Sequence, residues 1–167
     1  LTFGEKSAFM DHRDEHFMQR CFDLAWLGAG STSPNPMVGA VIVHRGRIIG
    51  EGYHRAYGEA HAEVNAVKSV TPADRPLLRE STLYVSLEPC NIHRNTPPCT
   101  LLILQEGIPR VVVSSVDQTP GVNGSGLDRL RKAGVEVKAG VLQKQGERLS
   151  QARNTFVSEY RPYIQLK

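Results

Sequence analysis

His61, Glu63, Cys90 and Cys99 are the residues of this chain whose types and spacing can do chemistry. One imidazole and two thiols are borderline-soft donors that suit zinc, and three protein ligands leave the fourth tetrahedral position for water. Glu63 stands two residues beyond His61, in His61-Ala62-Glu63. The two cannot share a helix face, because i and i+2 point apart. At a helix start, however, side chains lean back toward the N-terminus. His61 could then reach a metal and Glu63 the metal's water. That places an activated water beside a proton carrier, the apparatus of metal-assisted hydrolysis. The cysteines close Glu88-Pro89-Cys90 and Pro97-Pro98-Cys99, with eight residues, 91–98, between them.

Two plainer readings stay open on spacing alone. Cys90 and Cys99 could be buried small side chains, with His61 as a helix cap. The set could also be a closed structural zinc site, with His93 as fourth ligand. Position argues against both. A strand over Thr82–Leu87 delivers Cys90. Pro97-Pro98 introduces the helix that carries Cys99, proline being favoured in a first helical turn, and a helix N-terminus stabilises a thiolate. A closed structural zinc would have no use for Glu63.

These residues need elements to position them. Helical spacing over residues 14–27 puts Met18, Cys21, Phe22 and Ala25 on one face, and Gly28 and Gly30 end the pattern. Cys21 belongs to that core face. Residues 1–13 are expected to be an N-terminal extension, frayed over 1–11, with Met10 as a natural start and residues 1–9 as added sequence. In Ser31-Thr32-Ser33-Pro34-Asn35-Pro36, prolines on both sides of Asn35 fix its backbone. The amide is either an ordinary turn asparagine or a rigid partner for a polar heterocycle. Residues 37–43 are a nearly continuous apolar run, as in a strand buried on both faces. Arg45-Gly46 is a hairpin turn, and Arg47–Tyr53 is the return strand. His54, at its end, is a structural histidine or a substrate contact a short loop before the metal helix. Gly58 permits a tight approach into that helix, over residues 60–70. A polar connector over residues 71–80 leads to the strand Thr82–Leu87. After the cysteine loop come a helix capped by Gly107, a β-branched strand over residues 110–116, a loop, a short helix over 127–132 and a fifth strand over 135–139. A last helix is expected over residues 143–160, with Leu149, Ala152, Phe156 and Val157 on its apolar stripe, then an extended tail. A hairpin followed by strand-helix-strand-helix-strand predicts an α/β fold with a mixed sheet and helices on both faces.

The whole chain has 167 residues, which favours one domain. That length buries roughly 70% of the unfolded surface, so neither disulfide nor metal is needed to hold a core. Twenty basic against 17 acidic residues leave a net charge of +3. This makes no electrostatic case for nucleic-acid binding. Three cysteines make no disulfide framework, and the expected compartment is reducing and cytoplasmic. No apolar run approaches the ~20 residues of a membrane span, and the N-terminus lacks the order of a signal peptide. A homo-oligomer is compatible with the sequence, which specifies none.

Ser31–Gly39 as a whole (through Pro34-Asn35-Pro36-Met37-Val38), Gly52-Tyr53-His54, His61-Ala62-Glu63-Val64 and Thr82-Leu83-Tyr84-Val85-Ser86-Leu87-Glu88-Pro89-Cys90 resemble the deaminase half of the bifunctional riboflavin-biosynthesis deaminase–reductases. The long inter-cysteine loop ending Thr96-Pro97-Pro98-Cys99 resembles that group in particular within the cytidine-deaminase-like superfamily. The resemblance implies a three-layer α/β/α fold around a five-stranded mixed sheet. It implies one zinc per chain on His61, Cys90 and Cys99, with Glu63 as proton shuttle. It implies hydrolytic removal of the 2-amino group from a diaminopyrimidinone carrying a ribosylamino 5′-phosphate, and matches Asn35 and His54 to substrate contacts. It sets the deaminase domain at residues 14–160. Residues 161–167, with Tyr163-Ile164-Gln165-Leu166-Lys167, are similar to the strand that opens the reductase half, so no NADPH site is expected in this chain. The loop departs from the family's usual Cys-Ser-His-x-Gly-Lys/Arg-Thr-Pro-Pro-Cys: Ile92 replaces the histidine, Arg94 the glycine and Asn95 the basic residue. A loop held at both ends by metal ligands has an adjustable middle. His93 and Arg94 are therefore expected in the vacated places, with Arg94 on the phosphate. The competing functions are another small-molecule deaminase with an altered loop, a tRNA adenosine deaminase, and a zinc-stabilised interaction domain without activity.

Overall fold

The sheet runs β2-β1-β3-β4-β5 in a computed structural model that describes residues 3–92, 97–118 and 123–159. Its strands are β1 (Gly39–His44), β2 (Arg47–Tyr53), β3 (Thr82–Leu87), β4 (Arg110–Ser115) and β5 (Glu136–Ala139). β1 pairs antiparallel with β2 and with β3, and β3-β4-β5 are parallel. The expected five-stranded mixed sheet is present, with β1 starting two residues later than the apolar run suggests, at Gly39 rather than residue 37.

Six helices are described: α1 (Phe3–Trp26), α2 (Ala62–Ser69), α3 (Cys99–Glu106), α4 (Ser125–Lys132), α5 (Gln143–Leu149) and α6 (Gln151–Glu159). Side-chain alternation assigns their layers. Val41 and Val43 of β1, Tyr84 of β3 and Val112 of β4 share one core with Phe17, Met18, Cys21, Phe22 and Ala25 of α1 and Leu149 of α5. Their neighbours Ala40, Ile42, Leu83, Val85, Val111 and Val113 point the other way, onto Ala62, Ala66 and Val67 of α2, Ile103 of α3 and Leu127 and Leu130 of α4. Two cores on two faces make the three layers. Each fully buried aliphatic side chain contributes about 1.5–3 kcal/mol, which is why the central strands are apolar on both faces.

Three expectations are corrected. The chain before Asp14 does not fray, because its backbone is helical from Phe3. Residues 5–13 hold no proline or glycine, and Glu5, Lys6, Ala8 and Met10 are strong helix formers. The connector over 71–80 ends in a short 3-10 helix, Arg75–Glu80, with Pro76 in its first turn. The last helix is two helices, α5 and α6, broken at Ser150. Leu149 is buried but Ala152 is exposed, so one stripe does not run through both. Phe156 and Val157 lie among side chains outside the description, as do residues 160–167.

α2 lies close on β2 because β2 offers no side chain there. A Cβ on Gly52 would stand 2.5 Å from the backbone nitrogen of Ala66. That approach carries the start of α2, and with it His61 and Glu63, to the carboxyl end of the sheet. Gly107 closes α3 in the left-handed conformation, φ 69°, with its N–H on the Ile103 and Leu104 carbonyls.

Candidate active site

β2, β3 and β4 run in one direction, so their carboxyl ends share one edge of the molecule. His54 follows β2, Glu88 follows β3 and Asp117 lies just beyond β4. β1 runs the other way, so the loop before it, with Asn35, reaches the same edge. In open α/β sheets ligands bind beyond the carboxyl ends, where strand direction or order switches. A cavity of ≈ 250 Å³ lies there, lined by Asn35, His54, His61, Glu63 and Cys90 among others.

His61 is the N-cap of α2 and uses no side-chain capping bond, which leaves its imidazole for other work. Its Nδ1 lies 3.5 Å from Cys90 Sγ and 3.4 Å from Cys99 Sγ. The three donor atoms all fall within 4.8 Å of one another. Ordinary zinc–sulfur and zinc–nitrogen bond lengths put tetrahedral N···S edges at about 3.5 Å, so the set fits zinc. Cys90 leaves the end of β3, and Cys99 opens α3 and donates its N–H to Cys90 Sγ at 3.3 Å. Two thiols this close divide a proton between them. The Cys99 side chain's hydrogen bond, with help from His61 and the Cys99 N–H, holds Cys90 well below the ordinary thiol range. The same bond and burial raise Cys99. A cation held among the three atoms is what lets both sulfurs ionise.

Glu63 lies in the first turn of α2 and is 3% exposed. Burial raises its carboxyl above the ordinary range. Its side chain lines the same cavity as His61 and Cys90. A buried acid beside a metal-donor set is a group that can hold and release a proton.

The other two predicted contacts are coupled. His54 Nδ1 donates to the Ala60 carbonyl at 3.1 Å, so its Nε2 accepts from Asn35 Nδ2, also at 3.1 Å. Burial pushes His54 below the usual histidine value, which favours this neutral ring. With its NH₂ turned to His54, Asn35 presents its carbonyl oxygen elsewhere. The loops that carry them are stitched together by Tyr57 N–H on Ser31 O at 3.0 Å and His54 N–H on Val38 O at 2.9 Å. His93 and Arg94 lie outside the described residues.

Three lining residues were missed in the sequence. Glu88 is 4% exposed, and its carboxylate accepts the N–H groups of Asp117 (3.2 Å), Gly124 (2.8 Å) and Gly126 (2.8 Å). It ties the loop after β4 and the start of α4 to the cysteine loop. Its place beside Pro89-Cys90 was the available signal. Asp117 and Arg153 of α6 form a largely buried ion pair at 2.8 Å. They are 36 residues apart, and no local pattern announces the pair.

A mixed sheet with a His/Cys/Cys donor set and a buried carboxyl at its carboxyl end defines the zinc-dependent deaminase class. A family model for the cytidine and deoxycytidylate deaminase zinc-binding region matches residues 11–115. The riboflavin biosynthesis protein RibD of Bacillus amyloliquefaciens is 44% identical over 154 residues, 92% of this chain and 40% of that protein. The diaminohydroxyphosphoribosylamino-pyrimidine deaminase of Buchnera aphidicola is 45% identical over 136 residues, 81% of this chain and 90% of that protein. The crystal structure of a diaminohydroxyphosphoribosylaminopyrimidine deaminase/5-amino-6-(5-phosphoribosylamino)uracil reductase from Thermotoga maritima matches with a TM-score of 0.87 at 44% identity, over 92% of this chain and 44% of that one. The chain belongs to the zinc-binding cytidine and deoxycytidylate deaminase family, among the diaminohydroxyphosphoribosylaminopyrimidine deaminases. It spans less than half the length of the RibD proteins it matches.

Proposed function

We propose that the chain hydrolyses the 2-amino group of 2,5-diamino-6-ribosylamino-4(3H)-pyrimidinone 5′-phosphate and releases ammonia, a step of riboflavin biosynthesis. The observation that carries this reading is Glu63, a buried carboxyl beside the His61, Cys90 and Cys99 donor set at the cavity. Zinc, when bound by those three residues, supplies a Lewis acid that lowers the pKa of water. Glu63 takes a proton from the attacking water. It delivers that proton to the ring nitrogen and then carries the second, from the hydroxyl now bound to the carbon, to the departing amine, so water and the aminopyrimidine become the carbonyl product and ammonia. Asn35 accepts a hydrogen bond from the ring's polar edge, and His54 positions its amide. His93 and Arg94 are assigned to the substrate on the sequence alone.

A second reading is a related small-molecule deaminase. Ile92 favours it, because it lines the cavity where the family's loop carries a histidine. Ammonia release from the diaminopyrimidinone phosphate, measured beside cytidine, deoxycytidylate and guanine, separates the two. Turnover of the phosphate alone is expected. Turnover of one of the others, with none of the phosphate, would overturn the first reading.

The small net charge supports a small-molecule substrate over a nucleic acid. Among the described residues no helix is long and apolar enough to cross a membrane. Cys21, Cys90 and Cys99 are free thiols, which supports a reducing compartment such as the cytoplasm.

A further inference from the structure

Zinc must be held by two sulfurs on separate elements, Cys90 after β3 and Cys99 at the start of α3, at the two ends of a loop of eight residues. Two thiolates this close repel each other until the cation arrives, and closing a loop round a metal costs chain entropy. The ends of the loop are laced together by bonds of their own. Thr100 N–H donates to the Cys90 carbonyl at 3.2 Å. Thr100 Oγ1 donates to Asn91 Oδ1, also at 3.2 Å. Both bonds reach from the residue after Cys99 to Cys90 or its successor. Asn91 is tied further to α4: its Oδ1 accepts from Arg129 Nη1 at 2.9 Å, and its Nδ2 donates to the Ser125 carbonyl at 3.4 Å. Both lone pairs of Oδ1 are thereby used. Thr100 is fully buried, which makes its hydroxyl costly to leave without an acceptor. On the other side of Cys90, a side chain on Gly126 would run into the Pro89 carbonyl oxygen, so the start of α4 is pressed onto the chain there as well.

We propose that Asn91 is a positioning residue for the zinc site. Its side-chain oxygen clasps Thr100, at the far end of the loop, and Arg129 of α4, and so holds Cys90 and Cys99 at the spacing the metal requires. Asn91 acts through the two cysteines, so its effect falls on metal retention: a clasp formed in advance removes part of the ordering cost of binding. The inference rests on the His61, Cys90 and Cys99 site and not on the substrate proposed above, so either reading can fail without the other.

The test uses the zinc-loaded whole chain as wild type, Asn91→Ala, Arg129→Ala, Thr100→Val, Thr100→Ser and the double variant of Asn91→Ala with Thr100→Val. Circular dichroism checks that each is folded, and zinc affinity is read by competition with a chromophoric chelator. A bond that served the fold alone would lower the stability of the metal-free and zinc-loaded chains equally and leave zinc affinity unmoved. Asn91→Ala should instead weaken zinc binding about tenfold, at the low end of what groups around a metal's ligands contribute. Thr100→Val should lose a comparable amount, and the double variant no more than Asn91→Ala alone, because the two changes break one shared bond. Thr100→Ser, which keeps the hydroxyl, should hold zinc as wild type does. Arg129→Ala, which removes an exposed bond, should cost about two- to threefold. The proposal is overturned if Asn91→Ala or Thr100→Val holds zinc as wild type does, whatever its stability. It is also overturned if Thr100→Ser loses as much as Thr100→Val, which would assign the effect to packing, or if the losses of the two single variants simply add.

Discussion

The two ends of the parallel strands bury polar groups to opposite effect. At the amino end, Asp14 of α1 is 2% exposed and fully occupied. It accepts from Tyr84 Oη at 2.8 Å, from Arg110 Nη1 and Nη2 at 3.2 and 3.0 Å, and from Lys138 Nζ at 2.9 Å. Opposite charges and matched donors close this cluster on itself, and it joins α1, β3, β4 and β5. At the carboxyl end, two thiols, an imidazole and a carboxyl face one another. These groups are alike in needing a cation or a proton from outside. A buried cluster of matched opposite charges supports the fold, whereas a cluster made of metal donors marks where a ligand belongs.

The comparison predicts that damage at the carboxyl end removes activity and spares the fold, while damage at the amino end does the reverse. The largest effect is expected from chelation. Metal removal should abolish ammonia release, while circular dichroism retains most of the helical signal, because the two apolar cores lie elsewhere. Wholesale unfolding on chelation would show that the carboxyl end is structural after all. Glu63→Gln comes next. It should keep its zinc by elemental analysis and lose about 10²-fold or more in kcat; near-normal turnover would remove Glu63 from the chemistry.

Asp14→Asn should reduce unfolding free energy by about 3 kcal/mol, because it removes the buried carboxylate that pairs with Arg110 and half-buried Lys138. Its kcat should be unchanged in the folded fraction. Denaturant titration reads the first quantity and steady-state kinetics the second. The same residue sets a pH dependence. Burial alone would raise the Asp14 carboxyl, but hydrogen bonds from Arg110, Lys138 and Tyr84 together hold it below the ordinary range. The unfolded chain therefore binds the proton more tightly. Asp14's contribution is complete above its unfolded value of about 4 and is lost as pH falls through the lower folded value. Wild type should lose stability in that acid window more steeply than Asp14→Asn, and parallel curves would refute the assignment.

The smallest effect is expected from Asn35→Ala. Losing one hydrogen bond to the ring should lower kcat/KM about tenfold with melting unchanged. An equal fall in thermal stability would place Asn35 with the structural groups.

The sequence by itself determined which groups could meet and most of the elements that carry them. Thr82–Leu87 and Arg47–Tyr53 are legible because apolar runs, turn residues and β-branching act locally. His61-Ala62-Glu63 and the two Pro-Cys pairs are legible because metal donors are few and their types are chemically restrictive. The helix before Asp14 and the break at Ser150 were not, since neither a proline nor a strong periodicity marks those boundaries. Only the tertiary structure decided that β2, β3 and β4 end on one edge, bringing His54, Glu88 and Asp117 round one cavity. It also decided that Glu88 takes three backbone amides, and that Asp14 meets Lys138 across 124 residues and Arg153 meets Asp117 across 36. The physical reason is range. Propensity and periodicity act within a few residues, whereas the partner of a buried charge is chosen by strand order, and strand order is fixed only when the two faces of the sheet are packed.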